Sequence, residues 1–167
     1  MAGGRKSDLG KRCRRARGFS LIELLIVVAI ILIIAAIAIP NLIKSKMAAN
    51  EASAVGSLRT LTTGEIAYAS ACPAIGFTHT LADLGSNNTC PGGNNQIDST
   101  LQAGTKSGYT FTDPGRTSGL VPETQFAWVG IPASSSSGTR GFYVDESGVI
   151  RYTPNGAAPT NLSNALQ

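Results

Sequence analysis

The stretch RGFSLIELLIVVAIILIIAAIAIP, from Arg17 to Pro40, decides how this chain is organised. Between Phe19 and Ile39 only Ser20 and Glu23 are not apolar. A helix over those residues would be about 31 Å long, which is enough to cross the hydrocarbon core of a bilayer. The stretch therefore predicts a membrane-spanning helix near the N-terminus.

Basic side chains are concentrated just ahead of this stretch. Residues 1–17 hold seven of the 14 Lys and Arg and a single acid, Asp8, which leaves seven basic and nine acidic side chains in the remainder. A basic arm can bind nucleic acid, but a long apolar run directly after it favours the positive-inside signal of a membrane protein. We therefore expect residues 1–17 to stay in the cytoplasm and the body of the chain to lie on the other side of the inner membrane.

The order of these features differs from that of a secretory signal peptide. Such a signal has a short apolar core with a small-residue cleavage site after it. Here the apolar run is long, no A-x-A pattern stands near its end, and the small residue Gly18 precedes it. A cut after Gly18 would remove a leader, residues 1–18, and keep the helix.

The run from Arg17 to Pro40 resembles the class III signal and first helical half of type IV pilins and of the pseudopilins of type II secretion systems. The resemblance implies that a prepilin peptidase cleaves between Gly18 and Phe19 and methylates the new amine of Phe19. It also implies that Glu23 is used in filament assembly. The partners that it implies are copies of the same chain in a helical filament, and a pilus assembly platform with its ATPase.

Two residues of the run have roles that can be argued from their chemistry. An ionised Glu23 in an apolar helix needs a partner, because a carboxylate costs about 2.5 to 3.5 kcal/mol at the centre of a bilayer and less near its edge. The amine of a chain beginning at Phe19 would supply that partner, within one chain or between staggered neighbours. Pro40 lacks an N–H and obstructs the carbonyl of Ala36, so we expect a kink or a locally melted turn. If it does neither, Pro40 marks the end of the anchor.

The rest of the chain predicts an α+β head over residues 41–167. Residues 41–71 read as an amphipathic helix that ends before Cys72 and Pro73, residues 72–106 as a loop, residues 107–153 as a sheet and residues 154–167 as a tail. The predicted fold is a long N-terminal helix, first transmembrane and then amphipathic, packed on a four-stranded antiparallel sheet. The stripe expected to face that sheet comprises Ile43, Met47, Ala54, Leu58, Leu61 and Tyr68. The strands are predicted at 109–112, 126–131, 141–145 and 149–152, with a hairpin turn at 145–148 and one sheet face exposed to water.

The two cysteines of the exported part, Cys72 and Cys90, are expected to form one disulfide in an oxidising compartment. Metal, nucleotide and hydrolytic motifs do not emerge, so we expect no enzyme and no cofactor. The acids Asp113, Asp145 and Glu146 are weak candidates for a cation site, because the resemblance extends to pseudopilins that hold calcium in the head. The segments at 87–89 and 161–163 match the glycosylation sequon, which is a weak signal.

The sequence thus favours a structural subunit of a type IV pilus or a similar filament, which starts as an inner-membrane precursor and ends on the cell surface. Adhesion, twitching motility and DNA uptake are open roles. A major pseudopilin of a type II secretion system is the alternative within this class. A monomeric single-span protein with a ligand-binding head outside the cytoplasm is the alternative from another class.

Overall fold

A computed structural model describes residues 18–86, 90–93 and 95–166. The leader, except Gly18, and the sequon at 87–89 lie outside the described residues. The chain divides into two compact units, Met1–Ile39 and Pro40–Gln167. The first unit is described with the assembly segment below, and the second is the head.

Helix α1, Leu21–Ala71, contributes to both units and contains Pro40 within it. Residues on both sides of Pro40 are helical, so the locally melted turn that the sequence suggested is absent from the described helix. Within the head, the buried face of α1 runs through Glu51, Ala54, Leu58, Leu61, Glu65 and Tyr68. The alternating steps of three and four residues between them place these side chains on one stripe.

This stripe differs from the expected one at its start. Ala54, Leu58, Leu61 and Tyr68 are buried as predicted, whereas Ile43 is 45% exposed and Met47 is only half-buried. The two acids Glu51 and Glu65 occupy the stripe instead of lying in solvent. Full burial of α1 by the head therefore begins at Glu51, one helical turn after Met47.

The sheet has six strands and not the predicted four. Strands β1 (Thr105–Lys106), β2 (Tyr109–Thr112), β3 (Ala127–Pro132), β4 (Arg140–Asp145), β5 (Arg151–Pro154) and β6 (Asn164–Ala165) follow one another in chain order, and each pairs antiparallel with the next. The two additional strands are two residues long and lie at the edges, where pairing with a neighbour and not periodicity defines them. The antiparallel meander itself agrees with the prediction.

The segment expected to be a loop, 72–106, also contains two short helices. Helix α2 is Leu81–Leu84, and helix α3 is Ser99–Gln102. The hydroxyl of Thr80 caps α2 by accepting from the N–H of Asp83, and the carboxylate of Asp98 caps α3 by accepting from the N–H of Leu101. Both are single turns that a periodicity argument is too coarse to find.

Both faces of the sheet are buried at its centre. The inner face packs Tyr109, Phe111, Trp128, Phe142 and Val144 into one core with the buried face of α1. On the outer face a second cluster holds Ala127, Val129 and Tyr143, each no more than 4% exposed. The expectation of a water-exposed outer face was therefore wrong at the central strands.

The disulfide Cys72–Cys90 is present, with the two Cα atoms 6.0 Å apart. Cys90 is fully buried and joins the main core, whereas Cys72 follows directly on the last residue of α1. The prediction of this pairing is confirmed. The bond fastens the end of the helix to the segment that carries α2.

Glu51 fixes the head to α1 through the β3–β4 connection. Its Oε1 accepts hydrogen bonds from the N–H of Thr139 at 2.8 Å and of Arg140 at 3.3 Å, while its Oε2 lies 2.7 Å from Nη2 of Arg140. Burial acts to raise the pKa of Glu51, but these hydrogen bonds and the nearby guanidinium outweigh it and hold the pKa below its usual value. The carboxylate is therefore charged and satisfied in the folded head.

Glu65 lies at the centre of the core and is fully buried. Its two oxygens accept from different donors: Oε1 from Nε1 of Trp128 at 2.9 Å, and Oε2 from the N–H of Thr78 at 3.0 Å. Burial raises the pKa of Glu65 to about 7, because the two hydrogen bonds only partly offset the loss of hydration and Asp113 and Asp83 add negative charge nearby.

This raised pKa predicts that the head loses stability as the pH rises. Since Glu65 holds its proton more tightly when folded than when unfolded, its contribution is complete below about pH 4.5 and is lost on passing pH 7. The loss is of the order of 3 kcal/mol over that window. Denaturation of the wild type and of Glu65→Gln across this window should show a pH-dependent difference between the two free energies of unfolding, and parallel curves would contradict the assignment.

Candidate assembly segment

The expected cleavage point lies ahead of the first helical turn. Gly18, Phe19 and Ser20 precede α1, and the side chain of Phe19 is 78% exposed. Nothing lies within 4 Å of the position that a Cβ atom on Gly18 would take. The fold therefore does not itself require glycine at this position, and the residue is accessible to a second protein.

Glu23 is the only acid in the first turn of α1. A carboxylate there interacts favourably with the N-terminal end of the helix dipole. Its side chain is exposed among large apolar side chains that are exposed as well. The amine of a chain beginning at Phe19 would stand four residues before it, about one helical turn away.

An apolar surface extends from Phe19 to Ile39 in the first unit. Its large apolar side chains are between 45% and 81% exposed, and the helix that carries it is long and apolar enough to cross a membrane. In the second unit Leu42 and Ile43 are exposed as well, and Lys44 follows them. Burying one such side chain contributes about 1.5 to 3 kcal/mol, so this surface is unstable in water by several tens of kcal/mol. It must be covered by lipid or by protein.

Small residues are interspersed with the large ones on this surface. Ala29, Ala35, Ala36 and Ala38 lie in the same span of α1. In an apolar medium, helices associate by van der Waals packing and approach most closely at small residues. The segment thus has a composition suited both to lipid and to contact with copies of itself.

The three candidate cation ligands are paired with basic side chains of the head. Nη1 of Arg116 lies 2.9 Å from Oδ2 of Asp145, and its Nη2 contacts Glu146. Asp113 lies elsewhere, with its Oδ2 3.0 Å from Nδ1 of His79. Burial would raise the pKa of Asp145, but hydrogen bonds from Ser147 and the charge of Arg116 hold it below its usual value. No group of three or more potential metal ligands occurs in the described part of the chain.

Comparisons with known proteins find one family model and two curated relatives that match short parts of the chain. Residues 13–39 match the family model described as the prokaryotic N-terminal methylation motif. The type IV major pilin protein PilA of Myxococcus xanthus is 52% identical over 54 residues, which is 32% of this chain and 24% of that relative. The type IV wide pilus major component PilA4 of Thermus thermophilus is 60% identical over 38 residues, or 23% of this chain and 29% of that relative. No solved structure matches the chain.

The segment that carries Gly18, Phe19 and Glu23 is therefore a prepilin-type N-terminus. In a short part of its length the chain is similar to type IV pilins. The matches span less than a third of the curated relatives, so they support the class of the chain and not the detailed role of its head.

Proposed function

We propose that the chain is a structural subunit of a type IV pilus or a similar filament, cleaved after Gly18 and polymerised through the segment from Phe19 to Ile43. The observation that carries the proposal is the apolar surface of that segment, which stays on the chain after cleavage. The two curated relatives are named as pilus components, which supports a structural and not an enzymatic role. Both are named as major components, which favours a pilin over a pseudopilin.

The proposed mechanism moves one helix between two apolar surroundings. The segment first lies in the inner membrane, with its basic leader in the cytoplasm. In the filament, neighbouring copies of the helix replace the lipid, and the alanines permit close packing. Pro40 interrupts the helical hydrogen bonding at the end of the span and would allow packed helices to curve.

Glu23 would set the axial register between copies. Once cleavage has created an amine on Phe19, the carboxylate and the amine have opposite charges within an apolar bundle. Leaving either one buried without the other would cost several kcal/mol, so only staggers that bring them together are stable. In this proposal the prepilin peptidase makes the amine and a separate platform with its ATPase supplies the energy for extraction.

Processing can be tested by intact mass spectrometry of the chain extracted from the membranes of its native host. We expect a mature chain that begins at Phe19 and carries one methyl group on its amine. Gly18→Val should leave most of the protein with residues 1–18 attached, because a bulky residue at the cut would hinder the peptidase although the fold has room for it.

Gly56→Val provides a matched control, since a Cβ at Gly56 in α1 also meets nothing within 4 Å. That variant should be processed like the wild type. A wild-type chain that keeps residues 1–18 in a host with an active prepilin peptidase would contradict the proposal.

A further inference from the structure

A loop of the head, residues 113–125 between β2 and β3, is fastened to the segment that follows α1. The N–H of Phe77 donates to the carbonyl of Glu123 at 3.0 Å, and the N–H of Glu123 donates to the carbonyl of Ile75 at 2.8 Å. Gly76 lies between these bonds with φ +85°, and a Cβ there would clash with the backbone oxygen of Glu123. Glycine is therefore required for this close approach.

The carboxylate of Glu123 also organises the loop from within. Its Oε1 accepts from the N–H groups of Ser118 at 2.7 Å, Thr124 at 3.0 Å and Gln125 at 3.0 Å, and Oε2 accepts from the hydroxyl of Thr117. Hydrogen bonds from the loop hold the pKa of Glu123 well below its usual value. The tip of this loop carries Leu120 and Val121, whose side chains are 63% and 86% exposed.

The imidazole of His79 lies close to an acid at each end of this loop. Nδ1 of His79 lies 3.0 Å from Oδ2 of Asp113, at the start of the loop, and Nε2 lies 3.7 Å from Oε2 of Glu123, at its end. Nε2 is buried and has no hydrogen-bond partner among the described residues. The charged group recorded opposite Nε2 is therefore the carboxylate of Glu123.

The protonation state of the imidazole decides whether both ends are held. A neutral imidazole has one N–H, so donation to Asp113 leaves the lone pair of Nε2 opposed to the Glu123 carboxylate. The imidazolium has two donors and an attractive charge for both carboxylates. Protonation thus converts one favourable contact and one unfavourable contact into two favourable ones.

Charged groups on the neighbouring elements contact residues beside His79 or other acids of the head. On α1, Glu65 accepts from the N–H of Thr78, the neighbour of His79, and gains negative charge as the pH rises. On α2, Asp83 accepts from the hydroxyls of Thr78 and Thr80. Arg116, within the loop, is directed to Asp145 and Glu146. The imidazolium is therefore the cation that faces the acids around this site.

We propose that His79 is a pH-sensitive clasp that holds the loop 113–125, and with it the exposed tip at Leu120 and Val121, against the segment after α1 when the imidazole is doubly protonated. Protonation of the imidazole closes the clasp, and loss of the second proton loosens it. This inference concerns the head alone and does not depend on cleavage or on filament assembly.

The clasp can be tested by hydrogen exchange of the full chain in detergent, with each protection factor referred to the intrinsic exchange rate at that pH. Between pH 8 and pH 5.5 the N–H groups of Ser118, Thr124 and Gln125 should gain about fivefold in protection, the size expected of a partly exposed ion pair. Both chains are compared in a Glu65→Gln background, which removes the pH dependence assigned to Glu65. In that background the gain should persist with His79 and disappear in His79→Gln. Asp98→Asn, which removes an exposed ion pair with Lys106, should retain it.

Imidazole NMR provides a readout that does not need a variant, because His79 is the only histidine of the chain. In ¹⁵N-histidine-labelled protein, protonation of Nε2 should follow the same pH curve as the protection of the loop. Protection in His79→Gln that depends on pH as strongly as in the wild type would overturn the proposal. So would an imidazole that titrates without any change in the loop.

Discussion

Replacing Glu23 with glutamine should lower the yield of surface filaments at least tenfold while the protein stays in the membrane. The neutral side chain is easier to bury in lipid, so insertion should not suffer. In the filament, however, the amine of Phe19 would be left without its counter-charge in an apolar bundle. Breaking a buried ion pair on one side typically costs about 3 to 5 kcal/mol, which is far more than a tenfold change in an equilibrium requires.

The measurement is the amount of this chain in fibres sheared from cells, relative to the amount in the membrane fraction. Glu146→Gln is the matched control, since it removes the charge of an exposed glutamate of the head that pairs with Arg116. That control should give wild-type yields. Normal filaments from Glu23→Gln would exclude a role for this carboxylate in register.

Trp128→Ala should cost the head about 3 to 5 kcal/mol of unfolding free energy, the largest stability loss that we expect from a single side chain. Trp128 is 1% exposed in the core between the sheet and α1. Truncation would leave a cavity, and it would also remove the donor that satisfies Oε1 of Glu65. Chemical denaturation followed by circular dichroism of the full chain would measure the loss.

Trp128→Phe separates these two contributions. It keeps most of the ring volume but removes the N–H, so its cost should fall to about 1 to 3 kcal/mol, the penalty for an unsatisfied buried acceptor. Losing this hydrogen bond should also raise the pKa of Glu65 further, because the bond favours the ionised form. Equal losses from the two substitutions would show that the hydrogen bond, and not packing around the ring, dominates.

Features with a strong periodic pattern could be predicted from the sequence. The apolar run from Phe19 to Ile39 required a helix, and the steps from Ala54 to Tyr68 identified its buried face within the head. Strand β2 agrees with the predicted span, and β3 and β4 lie within a residue of theirs, since each is a short run of aromatic and β-branched residues. The pairing of Cys72 with Cys90 followed from compartment and count.

The features that were missed depend on contacts between distant residues. A pattern that assigns charged residues to solvent places Glu51 and Glu65 outside, although the head supplies donors for both. Strands β1 and β6 exist because longer strands pair with them. The contacts of His79 join residues 34 and 44 positions away in sequence, which local spacing does not reveal. The sequence suggested Asp145 and Glu146 as cation ligands because local spacing does not show that they pair with Arg116. That residue reaches them from a loop about 30 residues earlier.

In our proposal one apolar helix stays on the chain after cleavage and then binds copies of itself. A cryo-EM reconstruction of fibres sheared from cells that express this chain tests this arrangement. We expect fibres whose subunits begin at Phe19, with residues 19–43 of neighbouring copies bundled along the axis and the heads outside. Fibres held together by the heads alone, or a processed chain that remains monomeric in the membrane of cells with an active assembly system, would contradict it.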